Sequence, residues 1–398
     1  MRRGKVPQTA QPHEYQNNYE LAELEFVMDT FGRKFRVSVF GESHGPAVGA
    51  VLDGVPAGIS LSEEDFMEDI DRRRSGARGT TPRREADLPE ILSGVFDGHT
   101  TGAPLAIIFR NTNTRSQDYS RFMDVPRPGH ADFVAMKKWS GANDPRGGGH
   151  FSGRLTLPLV AAGVVAKKIV GTAIDINARL IEIGGVTEMA AIARRYNNEG
   201  ASGAFPPDGM HGLDGGGKDP VPDTVNSAVG NRGMDPSELW RPELDQAIAE
   251  GDSLGGVVEC VITGLPAGLG EPFFDSVESL VAHAVFSVPG VRGIEFGHGF
   301  PAARMKGSQH NDPFISSDGK CSSNGAGGIN GGITNGNPMV FRVAFKPTSS
   351  IGKPQSTLDF STGKMTELVI PGRHDVCFAL RTPVVVEAAA AIVLADLV

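Results

Sequence analysis

Four histidines stand beside glycine or arginine: His44 in GESHG (41–45), His130 in RPGHAD (127–132), His150 in RGGGHFSGR (146–154) and His374 in GRHDVC (372–377). An imidazole titrating near neutrality can hand a proton to a leaving group. A guanidinium offers a fixed fork for phosphate or carboxylate. Loops carrying both can surround a small anion. The positive charge is local: residues 71–84, DRRRSGARGTTPRR, hold six arginines on a chain of net charge −9. The plain alternative is a solvated, salt-bridged helix end. RGGGHFSGR places consecutive backbone N–H groups ahead of a helical pattern, a cradle for phosphate. KPTSS (346–350) adds one cation and three hydroxyls, and SSNGAGGINGGITNG (322–336) a backbone able to lie flat on a planar ligand. Either segment also fits a surface loop. His130/Asp132 and His374/Asp375 are pairs a metal site could use, but no H-E-x-x-H or comparable spacing accompanies them, so no metal is expected.

Composition narrows the class. The chain has 398 residues, 39% hydrophobic and 21% charged, as a soluble globular protein does. The acidic balance, four tyrosines and two tryptophans argue against nucleic acid. No apolar run reaches the roughly 18 residues of a membrane span. The N-terminus has no apolar signal core. Cys260, Cys321 and Cys377 are scattered without C-x-x-C, as in a reducing cytoplasm. Glycine is abundant at 52 residues, which suits tight turns and close backbone approach to a ligand.

The elements that must position these residues follow from pattern. Residues 1–27 lack a clear period and are expected to be a flexible extension, with 28–398 as the catalytic unit. Alternation predicts strands over 34–40 and 48–53, flanking GESHG. A helix follows, with Ser60 and Glu63 spaced as a capping box, and its last turn delivers Arg72, Arg73 and Arg74. Strands are expected at 90–96, 104–110, 257–263 and 339–345, and helices at 155–170, 242–250, 276–288 and 384–397. The Gly/Pro/Asn-rich stretch 196–235 reads as an excursion. An internal repeat aligns 41–58, GESHGPAVGAVLDGVPAG, with 251–268, GDSLGGVVECVITGLPAG, nine of eighteen positions being identical. The glycines and Ser43 recur while His44 becomes Leu254. The turn therefore does not need a histidine, which points His44 toward chemistry.

GESHG, RRR with TTPRRE, ILSGVFDGHTTGAPL, NTRSQDY, RPGHAD, RGGG, AGGINGG, KPTSS and GRHD occur in one order over about 28–398. Together they resemble the chorismate synthase family. The resemblance implies a single-domain α+β sandwich with two pseudo-symmetric central β-sheets flanked by helices, assembled as a cytoplasmic homotetramer. It implies a phosphate lyase that makes chorismate from 5-enolpyruvylshikimate 3-phosphate by 1,4-anti elimination, the last common step of the shikimate pathway. Reduced FMN is the implied cofactor, and NADPH enters only indirectly or weakly, through an external flavin reductase. By the same resemblance His44 matches the proton donor near the leaving phosphate, His130 the residue that protonates reduced flavin, and Asp375 a carboxylate assisting proton removal through the flavin N5. Arg73, Arg78, Arg127, Arg154 and Arg373 match anion clamps for substrate, the first two being associated in the family with NADP. FMN contacts carry over to His150, Phe151, Ser152, Pro289, Gly290, Gly331, Lys346, Pro347, Thr348, Ser349, Ser350 and Arg373. The chain departs from the usual family pattern at His150-Phe151-Ser152, at Pro289-Gly290 and in a shorter arginine loop. A bifunctional form with its own NADPH:FMN reductase, or a non-catalytic flavin or anion-binding relative, are the alternatives.

Overall fold

The structure is a computed structural model that describes residues 29–82, 85–112, 117–198, 235–370 and 374–398. The expected extension (1–27), most of the 196–235 excursion and Arg373 lie outside these described residues.

Two antiparallel five-stranded sheets frame the molecule. The first contains β1 (Thr30–Phe31), β2 (Arg36–Gly41), β3 (Ala47–Asp53), β4 (Glu90–Ser93) and β5 (Leu105–Arg110), in the order β1-β2-β3-β5-β4. The second contains β6 (Asp175–Ile183), β7 (Val186–Thr187), β8 (Gly256–Thr263), β9 (Val291–Phe296) and β10 (Met339–Phe345), in the order β9-β10-β8-β6-β7. The strands around the repeated segment appear as expected. The long strand β6 has no counterpart in the sequence expectations, although its inward residues Ile176, Ala178, Leu180 and Ile183 alternate in part.

The internal repeat is a repeat in space. β3 and β8 are each the central strand of their sheet. Gly54 and Gly264, which end them, have φ of +80° and +79°. A Cβ at either would fall within 2 Å of a carbonyl oxygen, Lys34 in one half and Ala173 in the other, so only glycine fits. Thr100 and Thr334 then pin the two loops identically. Each hydroxyl donates to a proline carbonyl, Pro56 at 2.6 Å and Pro266 at 2.7 Å, and accepts the N–H of Ile59 or Leu269 at 2.9 Å.

The α+β class is as expected, but the layering is inverted. The helices α1 (Met67–Arg73), α2 (Asp132–Lys138), α3 (Thr156–Val170), α4 (Arg241–Glu250), α5 (Val277–Phe286) and α6 (Pro383–Leu397) do not all flank the sheets. α3 packs on the first sheet, α6 on the second, and the two helices pack on each other between the sheets. Their sequences explain this. Residues 384–395 of α6 are buried on every side, as are 156–158 and 160–166 of α3. A helix that is apolar all round has no solvent face and must sit between layers. Gly163 permits the close crossing, since a Cβ there would meet that of Ala388 at 2.3 Å. One hydrophobic cluster runs from Phe35 to Ala395 and joins both halves.

The helix that delivers the arginines starts differently from expectation. The N-terminal acceptor is Asp65, whose carboxylate takes the Ser62 N–H at 2.7 Å, rather than a Ser60/Glu63 pair. A short 3-10 turn, Glu63–Phe66, leads into α1.

Candidate active site

A cavity of about 1260 Å³ opens where the turn after β2, the end of α1, the RGGG segment, the start of α2, the 346–350 loop and the approach to α6 converge. His44 sits on the turn between β2 and β3. Asn111 pins that turn, its amide donating to the carbonyls of Glu42 at 3.0 Å and Gly45 at 2.8 Å. The His44 ring is 8% exposed and edge-on to Tyr119, with centroids 5.1 Å apart. It presses against Gly147: a Cβ there would lie 2.7 Å from His44 Cδ2 and 2.8 Å from Nε2. Ser43, Tyr119 and Gly147 line the cavity, so His44 stands immediately against its wall. The Ser43 N–H donates to Gly149 O at 3.1 Å, joining the two loops. The consecutive glycines 147, 148 and 149 all have positive φ, which is how RGGG turns so tightly.

His130 lies at the entry to α2, held by Asp132. Its Nδ1 is 2.6 Å from Asp132 Oδ1, so that nitrogen carries the hydrogen and donates it. Nε2 is left pointing at the RGGG segment, 3.4 Å from where a Gly148 Cβ would be. Burial lowers the His130 pKa below the ordinary histidine value; Asp132 opposes this, while Arg127 and Lys346 add to it. Arg127 grips Asp132 through Nε at 2.7 Å and Nη2 at 2.8 Å, and donates to Ser350 Oγ at 3.1 Å. Burial alone would raise the Asp132 pKa, but hydrogen bonds from Arg127 and His130 outweigh it and hold the carboxyl well below its usual range. Arg127 thus serves chiefly to fix the His130–Asp132 pair.

Arg73 and Arg154 form the cationic floor. Arg73 donates from Nε to Thr156 Oγ1 and from Nη2 to Gly153 O, both at 2.9 Å. Burial, with Arg381 and Arg154 nearby, pushes its pKa down to about 9, still far enough above neutrality to keep the charge. Arg154 donates from Nη1 to Asp87 at 2.8 Å and from Nε to Asn111 Oδ1. Asp375 is fixed at both oxygens, by the Thr81 N–H at 2.9 Å and by Arg381 Nη2 at 2.9 Å.

The 346–350 loop lines another wall. Lys346 donates to Ser349 Oγ at 2.6 Å, and Ser349 passes its own hydrogen to Gly129 O at 2.7 Å. Burial and Arg292 lower the Lys346 pKa. Among the described residues the buried Thr348 hydroxyl has no hydrogen-bond partner. Pro289 and Gly290 face the cavity beside it, and His150, Phe151 and Ser152 close the rim. His150 donates from Nδ1 to Gly41 O at 2.8 Å.

Of the residues singled out from sequence, the structure brings His130, Asp375, Arg73, Arg127, Arg154, His150–Ser152, Pro289, Gly290 and 346–350 into one cavity, with His44 against it. Two are placed elsewhere. Arg78 is not among the cavity-lining residues: it leaves the end of α1 for the surface and pairs with Asp245 of α4. Gly331 lies in the small hairpin Ile329–Asn330/Ile333–Thr334, away from the lining. Arg373 falls outside the described residues. Sequence reasoning missed Asp87, Asn111, Thr81, Tyr119 and Arg381. Asp87 stands in the TTPRREAD run, close enough to the arginines to have been noticed; Arg381 and Asn111 carry no local signal.

A cavity floored by arginines, with His130 and the tethered Asp375 in its lining and His44 against its wall, fits an enzyme acting on a small anionic substrate. The comparisons agree. The family model for chorismate synthase matches residues 35–398. A chorismate synthase of Chitinophaga pinensis is 54% identical over 369 residues, covering 93% of this chain and 96% of the relative. One of Korarchaeum cryptofilum is 46% identical over 380 residues, covering 92% and 96%. A crystal structure of chorismate synthase superimposes with a TM-score of 0.64 at 30% identity, covering 92% of each chain. The chain belongs to the chorismate synthase family, whose members are carbon–oxygen lyases.

Proposed function

We propose that the cavity converts 5-enolpyruvylshikimate 3-phosphate into chorismate and inorganic phosphate, with reduced FMN as cofactor. The observation that carries this is the convergence of Arg73, Arg154, Lys346, His44, His130 and Asp375 on one site from six separate stretches of chain. In the net reaction the allylic C–O bond breaks, phosphate leaves with its electron pair, and a ring proton is lost across the diene that forms. Reduced FMN, when bound, would supply electron density that helps expel phosphate.

The protein residues have distinct parts. Arg73 and Arg154 hold the anionic substrate in a water-poor floor where each charge counts more than in bulk solvent. His44 gives a proton to the departing phosphate. His130, locked by Asp132 in the Nδ1–H tautomer, presents Nε2 toward the ring system in the cavity. Asp375, immobilised by Thr81 and Arg381, orients the proton-accepting step. The residues fit a flavin phosphate: Lys346, Ser349 and Ser350 line the wall, and the Thr348 hydroxyl beside them, without a partner among the described residues, would gain an acceptor. Pro289 and Gly290 offer backbone to the ring.

The wider assignment follows the family. The enzyme is proposed to be a homotetramer of one catalytic unit (28–398) in the cytoplasm, receiving reduced flavin from a separate reductase because the sequence has no nicotinamide-binding fingerprint. Among the described residues no helix is long and apolar enough to cross a membrane. The test is anaerobic: protein, substrate and chemically reduced FMN, with chorismate absorbance and phosphate release followed together. Turnover here but not with NADPH and oxidised FMN is expected. Turnover in both mixtures would establish an intrinsic reductase, and none in either, with FMN bound, would remove the reaction assignment.

A further inference from the structure

Asp87 is a carboxylate inside an anion site. It is 6% exposed and lines the cavity. Its backbone has φ of +48°, a conformation few residues other than glycine, asparagine and aspartate adopt. The side chain reaches two guanidiniums unequally: Oδ1 accepts from Arg154 Nη1 at 2.8 Å, while Oδ2 stops 3.6 Å short of Arg73 Nη1. The other nitrogens of Arg73 are committed to Thr156 and Gly153 O, so Nη1 is the edge on which Asp87 and an incoming anion compete. Glu85 is the other buried acid nearby, but it is bound to Thr112 through N–H at 3.0 Å and Oγ1 at 3.1 Å, and lies 3.8 Å from Arg154. Asp375 belongs to Arg381. Asp87 is thus the carboxylate shared by both floor arginines.

We propose that Asp87 is a resident counter-charge and positioning residue, which aims Arg73 and Arg154 and limits how tightly the cavity retains free phosphate. Two guanidiniums with nothing between them would hold inorganic phosphate firmly, and a lyase must let it go. A carboxylate spaced at 3.6 Å from one of them weakens that hold without filling the place. This rests on the reaction proposed above for its kinetic part alone.

The experiment compares wild-type with Asp87→Asn, which tolerates the left-handed backbone and removes only the charge. Inorganic phosphate binding is measured by titration calorimetry, and kcat and KM with reduced FMN. Phosphate should bind about tenfold tighter to the variant, since the cavity gains one net positive charge. Meanwhile kcat should fall about tenfold or more, because an amide can still accept from Arg154 but no longer draws Arg73 Nη1 by charge. A merely structural Asp87 would weaken both properties together. Unchanged or weaker phosphate binding by folded variant overturns the counter-charge role, and unchanged kcat overturns the positioning role. If Asp87→Asn does not fold, Asp87→Gly keeps the backbone and is judged by the same two criteria. Wild-type protein that lacks synthase turnover while the variant still binds phosphate more tightly would leave the counter-charge standing and remove the reaction.

Discussion

His44 stands where the second copy of the repeat has Leu254, edge-on to Tyr119 and against Gly147. His44→Ala should cut turnover by about 10²–10⁴. Far-UV circular dichroism and melting temperature should stay near wild-type, because the turn is pinned by Asn111 and Ser43. An unfolded variant would make His44 structural. Asp132 gives a prediction in pH. Its folded carboxyl titrates below the ordinary value of about 3.9, so its stabilisation is complete above that value and is lost as pH falls from about 4 downward. Asp132→Asn leaves the buried Arg127 without its counter-charge and should lower the melting temperature at pH 7. The gap to wild-type should narrow between pH 5 and pH 3; a constant gap would show that the carboxylate charge is not what stabilises.

At the scale of elements, the RGGG turn and the GESHG turn are built to touch. Gly147 has φ of +62° and no room for a methyl group, since Ser43 Oγ and His44 Cδ2 would both be 2.7 Å away. Gly147→Ala therefore carries a backbone cost of about 1–2 kcal/mol and displaces the His44 ring as well. Gly58 is the control: its φ is +88°, but nothing lies within 4 Å of its Cβ position. Gly58→Ala should lose stability alone, whereas Gly147→Ala should lose kcat beyond its fall in melting temperature. Equal activity losses in the two variants would show that the contact between the turns is irrelevant to catalysis.

Across the whole molecule, an ionic cluster ties α6 to both halves. Glu387 is 1% exposed and accepts from Arg72 at 2.6 and 2.8 Å, Lys167 at 3.0 Å and the Ala178 N–H at 2.9 Å. Arg72 and Lys167 belong to the first half, Ala178 to the second sheet. Glu387→Ala leaves Arg72 and Lys167 with Asp69 as their remaining carboxylate, at 3.0 and 2.8 Å, and strands the Ala178 N–H, and should destabilise by about 1–3 kcal/mol. Glu387, Arg72 and Lys167 are not among the cavity-lining residues, so the folded fraction should keep its kcat. Chemical denaturation read alongside specific activity checks both, and a loss of kcat without loss of stability would contradict this division.

The sequence by itself determined the strands around the repeat, the apolar helices, the family, and the chemistry-bearing loops, because these depend on local periodicity and on residue types in a fixed order. His44 could be separated from its turn because the chain carries its own comparison in Leu254. The tertiary structure decided what periodicity cannot express. α3 and α6 read as apolar helices either way, and only the packing of two sheets shows that they lie between the layers. Arg73 and Arg78 stand five residues apart with equal charge; burial against Thr156 sends one into the cavity, and Asp245 draws the other to the surface. Asn111 and Asp87 lie far along the chain from Gly45 and Arg154, which they hold, and their roles arise from long-range contacts that no spacing records.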